Sequence, residues 1–341
     1  MKNIYKIAIS IITVICVIFT PANFAFASTK TSTIPKNIYK YVALGDSIGF
    51  GMSASEGKDY VSLFGDYLKS QPGNSKIQIY NLAKPGDTTE DLLNKLKNNV
   101  SMKDTLKDAT VITISIGGNN LLSTVIQEVS RAFAVNSNNN PNFMNEIAAA
   151  ITSNPKKDAI IEGLTKSRKL PIALAEGVVQ FVKQWDDIIK SINTLAPKAK
   201  VYVTTIYNPF NSQDSLHDFF EKYIKVINGI MEVGSIPGSY KVVDSYKVFK
   251  DYNGTDPLVN FNVAKGKLDP HPTDKGHSVI FQAHIDRSAL LETTIASFAV
   301  NKAERSKSQR DILFAKVLVS QLPPVTMKSE FEKRIEFLSR I

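Results

Sequence analysis

The sequence predicts an α/β fold built on a parallel sheet with helices on both faces. Short runs rich in apolar, β-branched and aromatic residues recur along the chain, and segments with helical apolar spacing separate them. The run at 109–116 is apolar almost throughout, which is typical of a strand covered on both sides. The 341 residues, 43% of them hydrophobic, suffice for one full core plus a small extra module.

The predicted elements follow the order of these runs. Each strand is expected to end near the edge of the sheet where the next helix begins, as in repeated strand–helix units. The residues Thr88 and Asp91 have the spacing of a capping box at a helix start. Strands are predicted at 39–44, 76–82, 109–116, 201–206 and 241–248, and helices at 59–68 and from Thr88 onward.

The connection between the third and fourth predicted strands is unusually long. Residues 121–197 contain at least two helical patterns, separated by the helix-breaking run 136–141. The second pattern places Phe181, Trp185 and Ile189 on one face. This insertion is either an ordinary crossover with additions or a lid that shapes a substrate site. We expect the Trp185 helix to pack on the sheet and the earlier helices to lie near the site.

Residues 1–27 predict a cleaved signal peptide. A short basic start precedes the apolar run 7–19, and the small residues Ala25 and Ala27 form a cleavage pattern. An uncleaved membrane anchor is the alternative, but the apolar run is short for a bilayer span. Residues 28–37 predict a flexible leader, and we expect a secreted protein, extracellular or associated with the cell wall.

Cysteine content and charge limit the chemistry. Cys16 is the only cysteine, so the mature chain would have no disulfide, no cysteine metal site and no thiol nucleophile. Loss of Lys2 and Lys6 with the signal peptide lowers the formal charge from +9 to +7. A basic balance outside the cell favours anionic wall polymers or lipid headgroups over nucleic acid as partners.

Much of the positive charge lies at the C-terminus. Residues 301–341 hold nine Lys or Arg against five Asp or Glu, and two helical patterns there are interrupted by Pro323-Pro324. We expect a basic helical hairpin. It is either a solvated hairpin docked on the main domain or an attachment to an anionic wall.

Three polar or flexible residues follow the first three predicted strands. Ser47 comes after Gly45-Asp46, where its hydroxyl would be exposed and its N–H unpaired at a helix start. The backbone of Gly86 could approach a ligand and donate an N–H to an oxyanion. Asn119 follows two glycines and could extend its amide to a substrate carbonyl. Taken singly, these residues equally fit a helix N-cap, a turn glycine and a loop asparagine.

A fourth segment, Asp-Pro-His-Pro at 269–272, supplies a base. Each proline favours extended geometry in the residue before it, and residues two apart in an extended stretch face the same way. Asp269 could therefore reach the ring of His271 and hold its tautomer, while His271 takes the proton of Ser47.

The same segment allows a competing interpretation. Asp269, His271, Asp274 and His277 have the donor atoms of a metal site. The sequence supplies no further clear ligand, and the acid–base role suits the first two residues better. We therefore expect neither a metal nor another cofactor.

These four blocks, in this order after successive strands, resemble the SGNH or GDSL hydrolase superfamily over about residues 38–292. The signature residues of that superfamily fall on Ser47, Gly86, Asn119 and His271. The resemblance implies a three-layer α/β/α sandwich with a flavodoxin-like parallel sheet. It also implies ester hydrolysis without a metal, at the C-terminal edge of the sheet.

The sequence departs from the family pattern at two positions. Asn120 stands where the family usually has an aspartate after the asparagine. Asp269 lies two residues before His271 rather than three, and Leu268 occupies the usual place. A backbone carbonyl is the alternative orienting group for the histidine.

The sequence therefore predicts a secreted serine esterase or lipase. Its expected parts are a hydrolase domain at 38–295, with the insertion at 121–197, and the basic hairpin at 301–341. Ser47, His271 and Asp269 would form the triad, and Ser47, Gly86 and Asn119 the oxyanion hole. We expect a monomer that acts on an acyl ester or lipid and does not bind nucleic acid, with the basic tail as a candidate contact to an anionic wall.

Two alternatives stay open at this stage. One is a binding protein for the cell wall or a polysaccharide, with a vestigial site. The other is an esterase that removes O-acetyl groups from cell-surface glycan. The apolar side chains of Phe50 and Met52, close to the serine, favour an acyl chain but could equally belong to the core.

Overall fold

A computed structural model describes residues 39–71, 76–136, 143–213, 216–262 and 267–340. The predicted signal peptide at 1–27 and leader at 28–37 lie outside the described residues. Within the described part of the chain, no helix is both long and apolar enough to cross a membrane.

Five parallel strands form the central sheet in the order β2-β1-β3-β4-β5. This is the flavodoxin-like order of doubly wound α/β proteins. The predicted α/β class with helices on both faces is confirmed. The strands are β1 Lys40–Gly45, β2 Gln78–Asn81, β3 Val111–Ser115, β4 Lys200–Thr204 and β5 Lys241–Val243.

The fifth strand is shorter than predicted. It ends at Val243, and residues 245–250 form a helix instead of continuing the strand. The side chain of Asp244 accepts the N–H of Lys247 at 2.9 Å and so caps that helix. The spacing of the apolar residues after Asp244 suits a strand or a helix, and the Asp244 cap favours the helix.

Helices cover both faces of the sheet. The capping box predicted at Thr88 and Asp91 is present at the start of its helix. The helices are α1 Ser47–Phe50, α2 Tyr60–Ser70, α3 Thr89–Asn98, α4 Val100–Leu106, α5 Gly118–Ala132, α6 Phe143–Ser153, α7 Lys157–Lys166, α8 Lys169–Leu195, α9 His217–Gly234, α10 Ser245–Lys250, α11 Asp274–Ser288, α12 Leu290–Ser306, α13 Gln309–Gln321 and α14 Lys328–Leu338.

Alternate residues of the strands face opposite layers, as the pleat requires. Val42 and Leu44 pack with helices α3, α4, α8 and α9, in a cluster that includes Trp185. Tyr41 and Ala43 face the other layer, where α2 and α11 pack. The sheet is therefore buried on both sides.

The insertion divides between the core and the edge of the sheet. Phe181 and Trp185 of α8 are fully buried against the sheet, as predicted for this helix. Helix α5 crosses α8 very closely at Gly177, where a Cβ would lie 2.0 Å from the carbonyl oxygen of Asn120. Helices α6 and α7 pack on α5 with Phe133, Ile147 and Ile151 in a cluster of their own.

The last part of the chain contains the two predicted helices and one element that was not predicted. The helices on either side of Pro323-Pro324 are α13 and α14, and together with the preceding helix α12 they enclose a separate cluster around Val300, Ile312 and Phe331. A two-stranded antiparallel hairpin, β6 Val259–Asn262 and β7 Lys267–Pro272, was not predicted. Strand β7 holds the expected extended segment.

Gly45 is a position where only glycine fits. Its φ is +128°, and a Cβ would lie 1.8 Å from the carbonyl oxygen of Ser115 on the neighbouring strand. We expect Gly45→Ala to lower the free energy of unfolding by about 3 kcal/mol or more, since it combines strain with a clash. Urea unfolding followed by circular dichroism measures this.

Gly163 in α7 provides the matched control. A Cβ there has nothing within 4 Å, so Gly163→Ala should stabilise the protein by about 0.5–1 kcal/mol through helix propensity. Equal unfolding midpoints for Gly45→Ala and Gly163→Ala would contradict the steric argument.

Candidate active site

The residues predicted to carry chemistry converge on the C-terminal edge of the sheet. Two adjoining cavities lie there, and Ser47, Asn119 and His271 line both of them. The sheet-side cavity, about 150 Å³, also touches Thr204 at the end of β4. The insertion-side cavity, about 300 Å³, extends from Gly86 under the insertion helices.

Ser47 is positioned by the turn after β1. The N–H of Asp46 donates to the carbonyl of Ser115 at 2.9 Å, which continues the pairing of β1 with β3 past Gly45. The Asp46 carboxylate then accepts the N–H of Ile48 at 3.0 Å and caps α1. Ser47 is the first residue of this helix and is 8% exposed. The serine is thus held at a strand-to-helix turn that faces both cavities.

The buried N-cap carboxylate is electrostatically unusual. Asp46 is 3% exposed, and this burial raises its pKa to about 7. Hydrogen bonds from backbone N–H groups and from Ser115 oppose the shift, whereas the nearby Asp87 adds to it. A group that titrates near neutral pH therefore lies directly behind the candidate nucleophile.

Gly86 and Asn119 are joined through Asp87. Gly86 has a φ of +87° in the turn before α3, and it lines the insertion-side cavity. The Asn119 amide donates one N–H to the carbonyl of Asp87 at 2.9 Å. The side chain of Asp87 forms an ion pair with Lys95 in α3. Since an amide carries two N–H groups, Asn119 retains a second donor at the cavity it lines.

The contacts of Asn120 explain why an asparagine stands where the family usually has an aspartate. Its side-chain oxygen accepts the N–H of Thr89 at 3.1 Å, and its NH₂ donates to the Thr89 hydroxyl oxygen at 2.8 Å. The Thr89 hydroxyl donates to Gln184 at 2.5 Å. An ionised aspartate has no N–H and could not satisfy this buried hydroxyl oxygen, so the amide suits this environment.

Asp269 lies against the ring of His271, despite the shortened spacing. The Asp269 Oδ1 is 2.5 Å from His271 Nδ1 and also accepts the backbone N–H of His271 at 3.1 Å. Its Oδ2 accepts the hydroxyl of Ser53 at 2.5 Å. Partial burial alone would raise the pKa of Asp269, but the hydrogen bonds from Ser53 and His271 lower it below its usual value. The carboxylate is therefore ionised beside the histidine at neutral pH.

No direct hydrogen bond joins the Ser47 hydroxyl to the His271 ring in the described part of the chain. The two groups line the same cavities, and catalytic hydrogen bonds are often loose before substrate binds. The structure thus brings Ser47, Gly86, Asn119 and His271 to one cavity system and places Asp269 behind His271.

Asp274 and His277 have other partners than a metal site requires. Asp274 accepts the N–H of Ser55 at 2.7 Å. His277 Nδ1 accepts the N–H of Tyr60 at 3.3 Å, and its Nε2 donates to the carbonyl of Met52 at 3.2 Å. Burial lowers the pKa of His277, in agreement with this neutral tautomer. The four residues considered as ligands therefore do not form one ligand set. Asp269, Asp274 and His277 instead fasten 269–277 to the loop after α1.

Two positioning residues were not predicted from the sequence. Ser53, with a φ of +65°, holds the second oxygen of Asp269. The buried Tyr207, just beyond β4, donates its hydroxyl to the carbonyl of Pro270 at 2.7 Å. The position of Tyr207 after a predicted strand end was a usable signal, whereas nothing local distinguishes Ser53 from other loop serines.

The chain matches a known protein family. A family model described as the GDSL-like Lipase/Acylhydrolase family matches residues 43–279. The uncharacterized protein YpmR of Bacillus subtilis (strain 168) is 26% identical over 189 residues, 55% of this chain and 56% of YpmR. The chain therefore spans little more than half the length of this curated relative.

Solved structures with some similarity include two lipases. The lipase Lip_vut3 from a goat rumen metagenome has a TM-score of 0.48 and 20% identity, covering 72% of this chain and 95% of its own. An extracellular lipase from Streptomyces rimosus has a TM-score of 0.45 and 17% identity, covering 71% of this chain and 96% of its own.

The titration of Asp46 should be visible in stability. Its pKa is about 7 in the folded protein and about 3.9 in an unfolded chain, so the folded state holds more protons between these values. Wild type should therefore lose stability relative to Asp46→Asn as pH rises from 4 to 7, by up to about 4 kcal/mol. Urea unfolding across pH 4–8 measures the difference.

Asp91→Asn is the control for this experiment. Asp91 is also an N-terminal helix carboxylate, but hydrogen bonds from Thr88 lower its pKa. Its replacement should shift stability by a nearly constant amount between pH 5 and 7, because both the folded and the unfolded carboxyl are ionised there. A constant difference for Asp46→Asn as well would contradict the raised pKa.

Proposed function

We propose that this chain, which belongs to the GDSL-like lipase/acylhydrolase family, hydrolyses carboxylic esters with Ser47 as nucleophile, His271 as base and Asp269 as orienting carboxylate. The observation that carries the assignment is the Asp269–His271 hydrogen bond beside cavities that Ser47 and Asn119 also line. Family membership supports ester hydrolysis in general. The roles of the individual residues are our proposal.

The first step is acylation of the serine. Asp269 holds Nδ1 of His271, so Nε2 is the nitrogen that accepts the hydroxyl proton of Ser47. The serine oxygen forms a bond to the ester carbonyl carbon, and the carbonyl electrons move onto its oxygen. Collapse of this intermediate breaks the bond to the alcohol oxygen, which receives the proton from His271. Water then attacks the acyl-enzyme through the same base and releases the acid.

The negative oxygen of the intermediate needs donors. The N–H of Ser47, the N–H of Gly86 and the second amide N–H of Asn119 are the proposed donors. Support comes from the fixed positions of these groups: α1 is capped by Asp46, and the Asn119 amide is held on the carbonyl of Asp87. Donors fixed in this way need no reorganisation when charge develops.

Localisation and partners remain predictions. We propose secretion on the basis of residues 1–27, and N-terminal sequencing of protein from the culture medium would test it through cleavage before Ser28. The basic tail has internal partners for part of its charge, including Arg334 with Glu304 and Lys302 with Asp311. Contact of the tail with an anionic wall is a proposal that a wall-binding assay would test.

The nucleophile assignment has a direct test. Ser47→Ala should reduce hydrolysis of p-nitrophenyl butyrate to background, because it removes the hydroxyl that forms the acyl-enzyme. Asn119→Ala should lower kcat by about 10²–10³-fold, the usual effect of one lost oxyanion donor. Steady-state kinetics on the purified proteins measures both, and wild-type rates in Ser47→Ala would overturn the mechanism.

Asp269 as the orienting group has a separate test. Asp269→Asn should lower kcat by about 10²–10⁴-fold, because the amide favours the wrong tautomer of His271. Asp274→Asn is the matched control, since Asp274 lies in the same segment and holds Ser55 without touching His271. We expect the control to lose far less activity. Equal losses in the two variants would indicate a loop-anchoring role only.

A further inference from the structure

We propose that the insertion-side cavity is an acyl-binding gallery, and that the preferred substrates are esters of medium- or long-chain fatty acids. This inference rests on the proposed function, because it requires an ester carbonyl at Ser47. It goes further by assigning a substrate class and by giving helices α5–α7 a specific task. We call the insertion-side cavity the acyl gallery from here on.

The lining of the gallery is almost entirely hydrocarbon. Ser47, Asn119 and His271 are its polar side chains among the described residues. They stand together at one end, beside Gly86. The rest of the wall carries no group that could pair with the hydroxyls of a sugar, whereas an alkyl chain needs no hydrogen-bonding partner. This composition favours a fatty acyl group over a glycan.

The volume of the gallery is larger than that of the voids usually left by imperfect packing in protein interiors. Interiors contain few voids bigger than a water molecule, and an apolar cavity of about 150 Å³ holds one benzene ring. The gallery has about twice that volume, 300 Å³. By this comparison it has room for about twelve carbon atoms.

Residues along helix α5 mark increasing distance from Ser47 into the gallery. The helix begins beside Asn119 and presents Leu122, Val125 and Val129 to the cavity at helical spacing, and Phe133 follows directly after its last residue. A helix rises about 1.5 Å per residue, so Val129 lies about 15 Å along the axis from Asn119. A chain that starts at Ser47 would therefore pass Val125 before Val129.

The far wall exists because of the insertion. Ile147 and Ile151, one turn apart on α6, are buried against Phe133, which caps the C-terminal end of α5. Leu164 of α7 and Leu170 of α8 also line the gallery. Met52, from the loop after α1, lines it near the serine, whereas Phe50 is 54% exposed and does not line it.

The two cavities that meet at Ser47 differ in size. The sheet-side cavity has half the volume of the gallery, about 150 Å³ against 300 Å³, and its hydroxyls on Thr204, Thr205 and Ser245 already bind other groups of the protein. The long chain of an ester therefore fits the gallery, and its shorter part is left for the sheet-side cavity.

Chain-length profiles test the proposal. With p-nitrophenyl acetate, butyrate, octanoate and laurate, kcat/KM should rise at least tenfold from acetate to octanoate. Burial of one methylene gives at most about fourfold, so a tenfold gain needs only two of the six added groups. A profile that is flat or highest at acetate, with activity still dependent on Ser47, would overturn the gallery and leave the proposed function intact.

Tryptophan substitutions locate the chain. Val125→Trp should lower the octanoate-to-acetate ratio of kcat/KM at least tenfold. Val129→Trp, farther along, should lower the laurate-to-octanoate ratio more than the octanoate-to-acetate ratio. Gln127→Trp on the exposed side of α5 is the control and should keep the wild-type ratios. Each ratio is measured on one sample, so a loss of folded protein cancels. Unchanged ratios in both valine variants would overturn the proposal.

Two further measurements separate the remaining outcomes. Octyl acetate carries the chain on the alcohol. The acyl assignment would be contradicted if kcat/KM rose more from ethyl acetate to octyl acetate than from p-nitrophenyl acetate to p-nitrophenyl octanoate. Calorimetric binding of dodecanoate to wild type, at least tenfold weaker in Val125→Trp, tests the gallery without catalysis. Should Ser47→Ala retain full activity, the proposed function fails, and this binding comparison still decides the gallery.

Discussion

Ser47 and His271 come from opposite ends of the hydrolase domain. Hydrogen bonds between the loop that follows the Ser47 helix α1 and the segment 269–277 around His271 hold the two residues in place. Ser53 binds Asp269, Ser55 binds Asp274, and His277 bridges Met52 and Tyr60. The paired residues are more than 200 positions apart in the chain. Since a backbone shift of about 1 Å costs a catalytic site much of its rate, this fastening is what the remaining chemistry depends on.

The sheet supplies the second half of the positioning. Parallel pairing places Gly45 opposite Ser115, and Ser115 opposite Thr204, so the strand ends that carry the site share one edge. From there Asn120 ties the start of α3 to the start of α5 through Thr89. The substitution of the usual family acid by Asn120 is therefore a structural adaptation to a buried threonine, and the neighbouring Asn119 keeps its place at the cavity.

The insertion between β3 and β4 has two separate duties. Its last helix, α8, completes the core, with Phe181 and Trp185 buried against the sheet. Its earlier helices form a small apolar cluster around Ile147 and leave a gallery that reaches Ser47. The close crossing at Gly177 joins the two parts, so the walls of the gallery rest on the same helix that stabilises the domain. The gallery wall is therefore supported by a helix that is itself buried against the sheet.

The sequence by itself determined the fold class, the central strands, the capping box at Thr88 and the residues to consider for chemistry, because periodicity and strand-end positions are local properties. It also anticipated the extended segment at Asp269, because proline restricts the residue before it. Tertiary structure alone decided that Ser53 binds the second oxygen of Asp269, and that Asp274 and His277 bind the loop after α1 rather than a common ion. It also opened a gallery beneath α5. These features depend on contacts between segments far apart in the chain, and no local pattern encodes the distance between them.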